Sequence, residues 1–293
     1  MGCRAYRCHR QKSGYYLMPW CELAGGGRRI WYEEQGQGPV LVLLHGWCMS
    51  SAVWRLQADD LSSRFRVVMP DLAGHGRSEL STGYGFEAFA ADLVQLFVQL
   101  DLRDVLLAGW SMGAQIVLTA YQQLRERLIA LVLISGTPCF AATESFPYGL
   151  GLKDVEGMAL KVRRSTQRAL AGFTALMFTA DELREPAVAR VTADVLAAVQ
   201  IPEAEVALQS LDALAETDLS HLLSTLDLPV LVINGDQDRI CLPEASTYMA
   251  AHIPGSSHTV FSGSGHALFL VRSEKFNTCL ENFWRRVSDR RCY

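Results

Sequence analysis

Leu106-Leu107-Ala108-Gly109-Trp110-Ser111-Met112-Gly113-Ala114-Gln115 is an apolar run, then Gly-x-Ser-x-Gly, then a stretch that reads as helix. A serine in this pattern is predicted at a sharp strand-to-helix turn, its hydroxyl held out of the sheet. Gly109 and Gly113 fit such a turn, because a side chain at either position would meet the backbone of the adjoining strand or helix. The helix N-terminus supplies a free N–H, at Met112, and a partial positive charge where an oxygen under attack turns negative. Five residues alone are as readily a chance turn. The flanking sequence decides.

Working outward, short and wholly apolar runs recur at Val40–Leu44, residues 67–69, residues 105–108, Leu128–Ile134 and residues 230–233. Runs without a polar alternation are strands covered on both faces. Between them Phe86, Phe89, Ala90, Leu93, Phe97 and Leu100 fall at helical spacing, with Asp92, Gln95 and Gln99 on the other side. Strands alternating with helices predict an α/β fold with a parallel, doubly wound sheet. Residues 21–23 and 28–35 flank Gly25-Gly26-Gly27 as a hairpin at its start. In such sheets ligands bind past the C-terminal strand ends, where Gly46, Asp71, Ser111 and Asp238 all fall.

The rhythm stops between Pro138 and Thr225, where only helical patterns occur, as at residues 169–178 and 187–199. The predicted organisation is a disordered basic extension at 1–17, a core at 18–137 and 226–293, and a helical lid at 138–225. Cations lead the lid, with Lys153, Lys161, Arg163, Arg164 and Arg168, and acids from Asp181 to Asp218 follow. Lys161, Arg164 and Arg168 are spaced to share one helix face, whose plain reading is a solvated surface.

A chain of 293 residues, 49% hydrophobic and 20% charged, has the composition of one large globular domain with room for an insertion. A net charge of −4 gives no basic face for nucleic acid, and no stretch reaches the length of a membrane span. Cys3, Cys8, Cys21, Cys48, Cys139, Cys241, Cys279 and Cys292 are scattered, without Cys-x-x-Cys or zinc-ligand spacing. That usage suits a reducing cytoplasm and small buried hydrophobes, Cys48, Cys139 and Cys241 above all, with no metal or cofactor expected. Asp71-Leu72-Ala73-Gly74-His75-Gly76-Arg77-Ser78 lacks the dinucleotide fingerprint and reads as a structural turn. Residues 1–17 carry Arg4, Arg7, Arg10 and Lys12 without a signal-peptide core; Tyr6 breaks the myristoylation pattern, and Met18 stands as an alternative start.

A serine hydroxyl needs a base within hydrogen-bond reach and a carboxylate to hold that base in the right tautomer. Past residues 230–233, Asp236 and Asp238 are both candidates for the acid. Asp238 is taken, because the turn must bring the carboxylate back over the sheet edge; Asp236 would then bond backbone N–H groups. Of the later histidines, His252 and His258 read as surface or structural. His266, after the flexible-looking Ser262-Gly263-Ser264-Gly265, reads as the base. The loop after Leu44 offers the Trp47 N–H as a second oxyanion donor beside that of Met112. The indoles of Trp47 and Trp110 suit an apolar pocket wall, with a core role equally open for Trp110.

Five motifs stand in order: Leu44-His45-Gly46, Asp71-x-x-Gly-x-Gly-x-Ser78, Gly109-x-Ser111-x-Gly113, Gly235-x-x-Asp238 and Gly265-His266. On these, residues about 20–288 resemble the α/β-hydrolase family. His45-Gly46-Trp47 with Val53-Trp54-Arg55, the Gly109-Trp110-Ser111 elbow and Thr137-Pro138-Cys139-Phe140 are similar to its biotin-pathway carboxylesterases. That resemblance implies an α/β-hydrolase fold with an inserted lid, and a cytoplasmic serine carboxylesterase. It implies cleavage of a methyl ester from a pimeloyl chain tethered to an acyl carrier protein. It further implies that Trp47, Met112 and Phe140 line the acyl pocket, and that lid arginines such as Arg168 meet the carrier. The chain departs from the pattern at Gly172, where a second lid arginine is expected, and at Ala114, which replaces a glycine. The alternatives are a C–C bond hydrolase or pyruvate-eliminating lyase with the same triad, and a silent small-molecule receptor. Serine rather than aspartate at 111 argues against a dehalogenase.

Overall fold

The chain alternates strand and helix from its first apolar run, and the computed structural model describes residues 20–24 and 28–291, with side chains to 289. The basic extension at 1–17 and the three glycines of the hairpin turn lie outside the described residues. β1 (Trp20–Glu22) and β2 (Arg29–Gln35) pair antiparallel with Cys21 opposite Ile30, as the hairpin reading requires. β3 (Val40–Leu44), α1 (Arg55–Leu61), β4 (Arg66–Pro70), α2 (Phe86–Gln99), β5 (Val105–Trp110), α3 (Met112–Leu124) and β6 (Leu128–Ile134) follow. α4 (Leu152–Arg164), α5 (Thr166–Leu176), α6 (Pro186–Ala197) and α7 (Ala204–Glu216) come next, with no strand among them. β7 (Val230–Gly235), α8 (Pro243–His252), β8 (Ser257–Phe261), α9 (Leu268–Val271) and α10 (Ser273–Arg291) complete the chain.

The sheet has eight strands in the order β1-β2-β4-β3-β5-β6-β7-β8. From β4 to β8 every pairing is parallel, and β1 and β2 are the antiparallel edge. β5, β6 and β7 are buried at every residue, because helices cover both faces. The order reverses beside β3, where crevices open past the strand ends, and Ser111 follows β5 there.

Two local readings are corrected. Asp92, placed by periodicity on the outer face of α2, is buried and paired with the Arg28 guanidinium just before β2. A partner 64 residues away cannot be read from a helix's own spacing. Arg164 and Arg168 do not share a helix face. The chain turns at Ser165 (φ −168°, ψ 103°), which ends α4 and caps α5 by accepting from the Arg168 N–H at 3.4 Å.

Candidate active site

Ser111 sits between β5 and α3 with φ 56° and ψ −120°, a conformation that costs a non-glycine residue roughly 1–3 kcal/mol. The surroundings enforce it. A Cβ at Gly109 would lie 2.3 Å from the Gly113 carbonyl oxygen, and one at Gly113 would lie 2.7 Å from the carbonyls of Leu44 and His45. Strand and helix therefore meet backbone to backbone, and the Ser111 N–H is fixed on the Ile134 carbonyl at 2.9 Å.

The loop after β3 lies against this turn, since a Cβ on Gly46 would come within 3.1 Å of the Ser111 Cβ. His45 holds the loop's shape. Its Nε2 accepts from the Leu72 N–H at 3.0 Å, so Nδ1 carries the hydrogen and donates to the Gly46 carbonyl at 2.9 Å. That carbonyl and the Trp47 N–H belong to one planar peptide, so fixing one aims the other. Burial pushes the His45 imidazole down to about 4, which keeps it neutral and this tautomer in place. Among the described residues no backbone hydrogen bond occupies the N–H of Trp47 or of Met112.

His266 and Asp238 are joined, with His266 Nδ1 2.7 Å from Asp238 Oδ2 and both residues buried. The other carboxylate oxygen accepts from the N–H groups of Ile240 (2.8 Å) and Cys241 (3.1 Å), so the acid is held from both sides. With Nδ1 donating, Nε2 carries the lone pair, and it is buried with no hydrogen-bond partner. Asp236 instead accepts from the Gly263 N–H at 2.7 Å. His258 meets Asn234 Oδ1 at 2.7 Å, and the exposed His252 donates Nδ1–H to the Tyr248 carbonyl at 2.8 Å. Both stand apart from the Asp238–His266 couple.

No hydrogen bond joins Ser111 to His266 among the described side chains. The Cys241 thiol lies near the Ser111 hydroxyl, and burial and nearby Asp238 push it well above the usual thiol range. In free enzymes the nucleophile–base bond is commonly loose and tightens in the complex. The contact adds to the plain reading of Cys241 as a buried hydrophobe, and no sequence spacing pointed to it.

Ser111 opens into a cavity of about 260 Å³, walled by Trp47 and Phe140 below and by Val155, Met158, Phe173, Leu211 and Leu214 of α4, α5 and α7 above. Leu211 and Leu214 were not singled out by sequence, although their i, i+3 spacing was the signal. Three residues stand elsewhere than read. The Met112 side chain is fully buried and not part of the cavity wall. Arg168 is exposed on α5 outside it, and the cations lining it are Lys161 and Arg239. Trp110 takes the core alternative: its ring packs on Phe269 and its Nε1–H donates to the His266 carbonyl at 3.1 Å. Among the described residues no group of three or more His, Cys, Asp or Glu is placed to hold a metal ion, and no helix is long and apolar enough to cross a membrane.

Residues 39–273 match the family model described as alpha/beta hydrolase fold. The chain is 32% identical over 257 residues to a pimeloyl-[acyl-carrier protein] methyl ester esterase of Nitrosomonas europaea, covering 86% of this chain and 98% of that one. It is 30% identical over 263 residues to the protein of the same name from Cronobacter sakazakii, covering 89% and 99%. Among solved structures, the esterase EaEST from Exiguobacterium antarcticum superposes with a TM-score of 0.85 at 27% identity, covering 91% of this chain and 99% of that one. A bromoperoxidase from Bacillus anthracis superposes with 0.84 at 27% identity, covering 92% and 99%. A match that spans β3 to β8, the elbow and the late acid and histidine makes this chain a member of the α/β-hydrolase fold family.

Proposed function

We propose that this α/β hydrolase is a serine carboxylesterase in which Ser111, His266 and Asp238 form the catalytic triad. Ser111 Oγ attacks the ester carbonyl while His266 Nε2 takes its proton, and the Nδ1–H bond to Asp238 holds the imidazole and stabilises the imidazolium. The Trp47 and Met112 N–H groups receive the oxyanion. Collapse of the tetrahedral intermediate breaks the C–O bond, His266 returns the proton to the leaving alkoxide, and water deacylates Ser111 by the same route. The observation that carries this reading is the buried His266–Asp238 couple with its unpartnered Nε2, together with a strained serine that opens onto a mainly apolar cavity.

The substrate that fits best is a methyl ester on a pimeloyl chain carried by an acyl carrier protein, which is what the two esterase relatives are named for. The apolar walls suit the methylene chain. Lys153, Lys161, Arg163, Arg164 and Arg168 on α4 and α5 are exposed, and no ion pair among the described residues uses them. Five unpaired cations on these two lid helices, Lys161 among them lining the cavity, favour an anionic, acidic partner.

A single experiment tests the chemistry. The parent protein is expected to release methanol from pimeloyl methyl esters and to be labelled by a fluorophosphonate at Ser111. Ser111→Ala is expected to lose both, with rate falling by several orders of magnitude. Full hydrolysis by that variant, or release of pyruvate or a C–C cleavage product in place of alcohol, would overturn the reading.

A further inference from the structure

The loop that carries His266 is fastened to the lid by a buried carboxylate. Glu182 follows α5 in a turn at 179–183, only 5% exposed, and both its carboxylate oxygens are engaged. Oε2 accepts from the Thr179 N–H at 2.8 Å while the Glu182 N–H is accepted by Thr179 Oγ1 at 3.2 Å. That reciprocal pair is the capping-box arrangement of a Thr-x-x-Glu sequence, here closing a single turn. Oε1 reaches out of the turn and accepts from the Gly265 N–H at 3.0 Å. One residue on, the Met177 carbonyl at the end of α5 accepts from the His266 N–H at 2.8 Å.

The two strands of backbone are pressed together there. A Cβ on Gly265 would lie 2.6 Å from the Met177 carbonyl oxygen and 3.1 Å from Glu182 Oε2. Ser264 and Gly265 are buried, and the Ser264 carbonyl accepts from the Gln237 N–H at 3.0 Å, one residue before Asp238. Of the stretch 262–265 that reads as flexible from its glycines, the second half, Ser264-Gly265, is therefore a packed wedge, while Ser262 is exposed. Its glycine at 265 is there for close approach to the lid turn.

We propose that Glu182 is a positioning residue for the esterase reaction: through the Gly265 N–H it holds the peptide before His266 and so keeps the imidazole aligned between Asp238 and Ser111. This rests on His266 being the base. A carboxylate serving two backbone donors in a dry site is costly to leave unmade, which makes the clasp stiff. The lid turn thus sets the base, and the Glu182 side chain couples the two beside the backbone bond from His266 to the Met177 carbonyl.

The test separates this role from simple capping of the turn. Thr179→Ala removes the hydroxyl half of the capping box and leaves the Glu182 carboxylate; Glu182→Ala removes the clasp as well. With a small p-nitrophenyl ester, kcat of the Thr179→Ala enzyme is expected to stay within about twofold of the parent, while Glu182→Ala loses about tenfold or more at similar KM, as misplaced catalytic groups do. The low-field proton resonance of the His266 Nδ1–H in its bond to Asp238 is expected to broaden in Glu182→Ala only. If Glu182→Ala does not yield folded protein, the same comparison is read on Glu182→Gln, which keeps one acceptor for two donors and is expected to lose at least threefold more than Thr179→Ala. Equal kcat for the Thr179 and Glu182 variants, with the resonance unchanged, would overturn the proposal. His266→Ala is measured alongside: if that variant keeps full activity, it is the assignment of the base that fails, and with it this inference.

Discussion

The indole Nε1–H of Trp47 donates to the carbonyl of Ala207 at 3.0 Å, and the Trp47 ring stands edge-on to Phe173 with centroids 5.0 Å apart. The loop whose backbone N–H is proposed to receive the oxyanion is therefore fastened to α7 and packed on α5. Trp47→Phe keeps an aromatic ring for Phe173 while removing the donor and one of the two fused rings of the indole. One net hydrogen bond is worth about 1 kcal/mol, so kcat/KM for acyl esters is expected to fall roughly fivefold. Trp47→Ala also opens a cavity and is expected to lose considerably more. Steady-state kinetics on both variants check this, and a Phe variant indistinguishable from the parent would show that the lid anchor does not reach the oxyanion donor.

The choice between the two late aspartates is open to a paired test. Asp238 holds His266 Nδ1, whereas Asp236 holds the Gly263 N–H. Asp238→Asn presents an amide N–H to Nδ1 and turns the imidazole to the wrong tautomer, with an expected loss of about four orders of magnitude in kcat. Asp236→Asn keeps an acceptor for Gly263 and is expected to stay within about threefold of the parent. Comparable losses in the two variants would remove Asp238 from its role.

The sheet was readable because a strand buried on both faces must be apolar at nearly every residue, as Leu128–Ile134 is. The elbow was readable for a similar reason: contacts of 2.3 and 2.7 Å at Gly109 and Gly113 admit no side chain. The lid was less legible. Arg163-Arg164-Ser165-Thr166 holds neither glycine nor proline, yet the chain turns there, because a serine side chain caps the next helix. Asp92 was misplaced because its partner Arg28 is distant in sequence. Glu182 went unnoticed although Thr179-x-x-Glu182 was there to read. A capping box announces a turn, but nothing local announces that its second oxygen will meet Gly265.

Two buried imidazoles predict how stability responds to acid. Burial pushes His45 down to about 4, and burial together with its neighbour His45 pushes His75 down to about 3, from an ordinary value of 6.5. Above pH 6.5 neither the folded nor the unfolded chain binds a proton at these sites, so their contribution is intact. As pH falls below it the unfolded chain is protonated first, and stability is lost until the folded values are reached. The expected slope is about 1.4 kcal/mol per pH unit for each imidazole. Urea unfolding measured at successive pH values checks this, and His75→Asn is expected to reduce the slope by the share of one imidazole. A stability curve flat from neutrality down to about pH 5 would contradict it.

The exposed cations of α4 and α5 predict a difference between free and carrier-bound substrate. Arg164 and Arg168 lie on two helices that meet at Ser165, so they present two separate charges to a docking partner rather than one ridge. Arg164→Glu with Arg168→Glu is expected to weaken kcat/KM for a carrier-bound ester about tenfold at low salt, an effect that shrinks as salt screens it. Hydrolysis of the free methyl ester is expected to be unchanged, and equal losses on both substrates would sink the carrier assignment.

On the proposed reading, the cavity sets the length of acyl chain the enzyme accepts. Leu211 and Leu214 of α7 line it, and α7 is also where Trp47 is anchored through Ala207. Leu214→Phe adds bulk to the wall without touching that anchor, so it shortens the space while leaving the oxyanion loop in place. Each methylene that no longer enters the apolar cavity forfeits about 0.8 kcal/mol, roughly a fourfold drop in kcat/KM per excluded CH2. The profile across methyl esters of increasing chain length is therefore expected to move toward shorter acyl groups, with the rate on the shortest ester preserved. A uniform fall at every length would instead mean that the wall substitution had disturbed the triad or the oxyanion loop. An unshifted profile would mean that the acyl chain runs elsewhere.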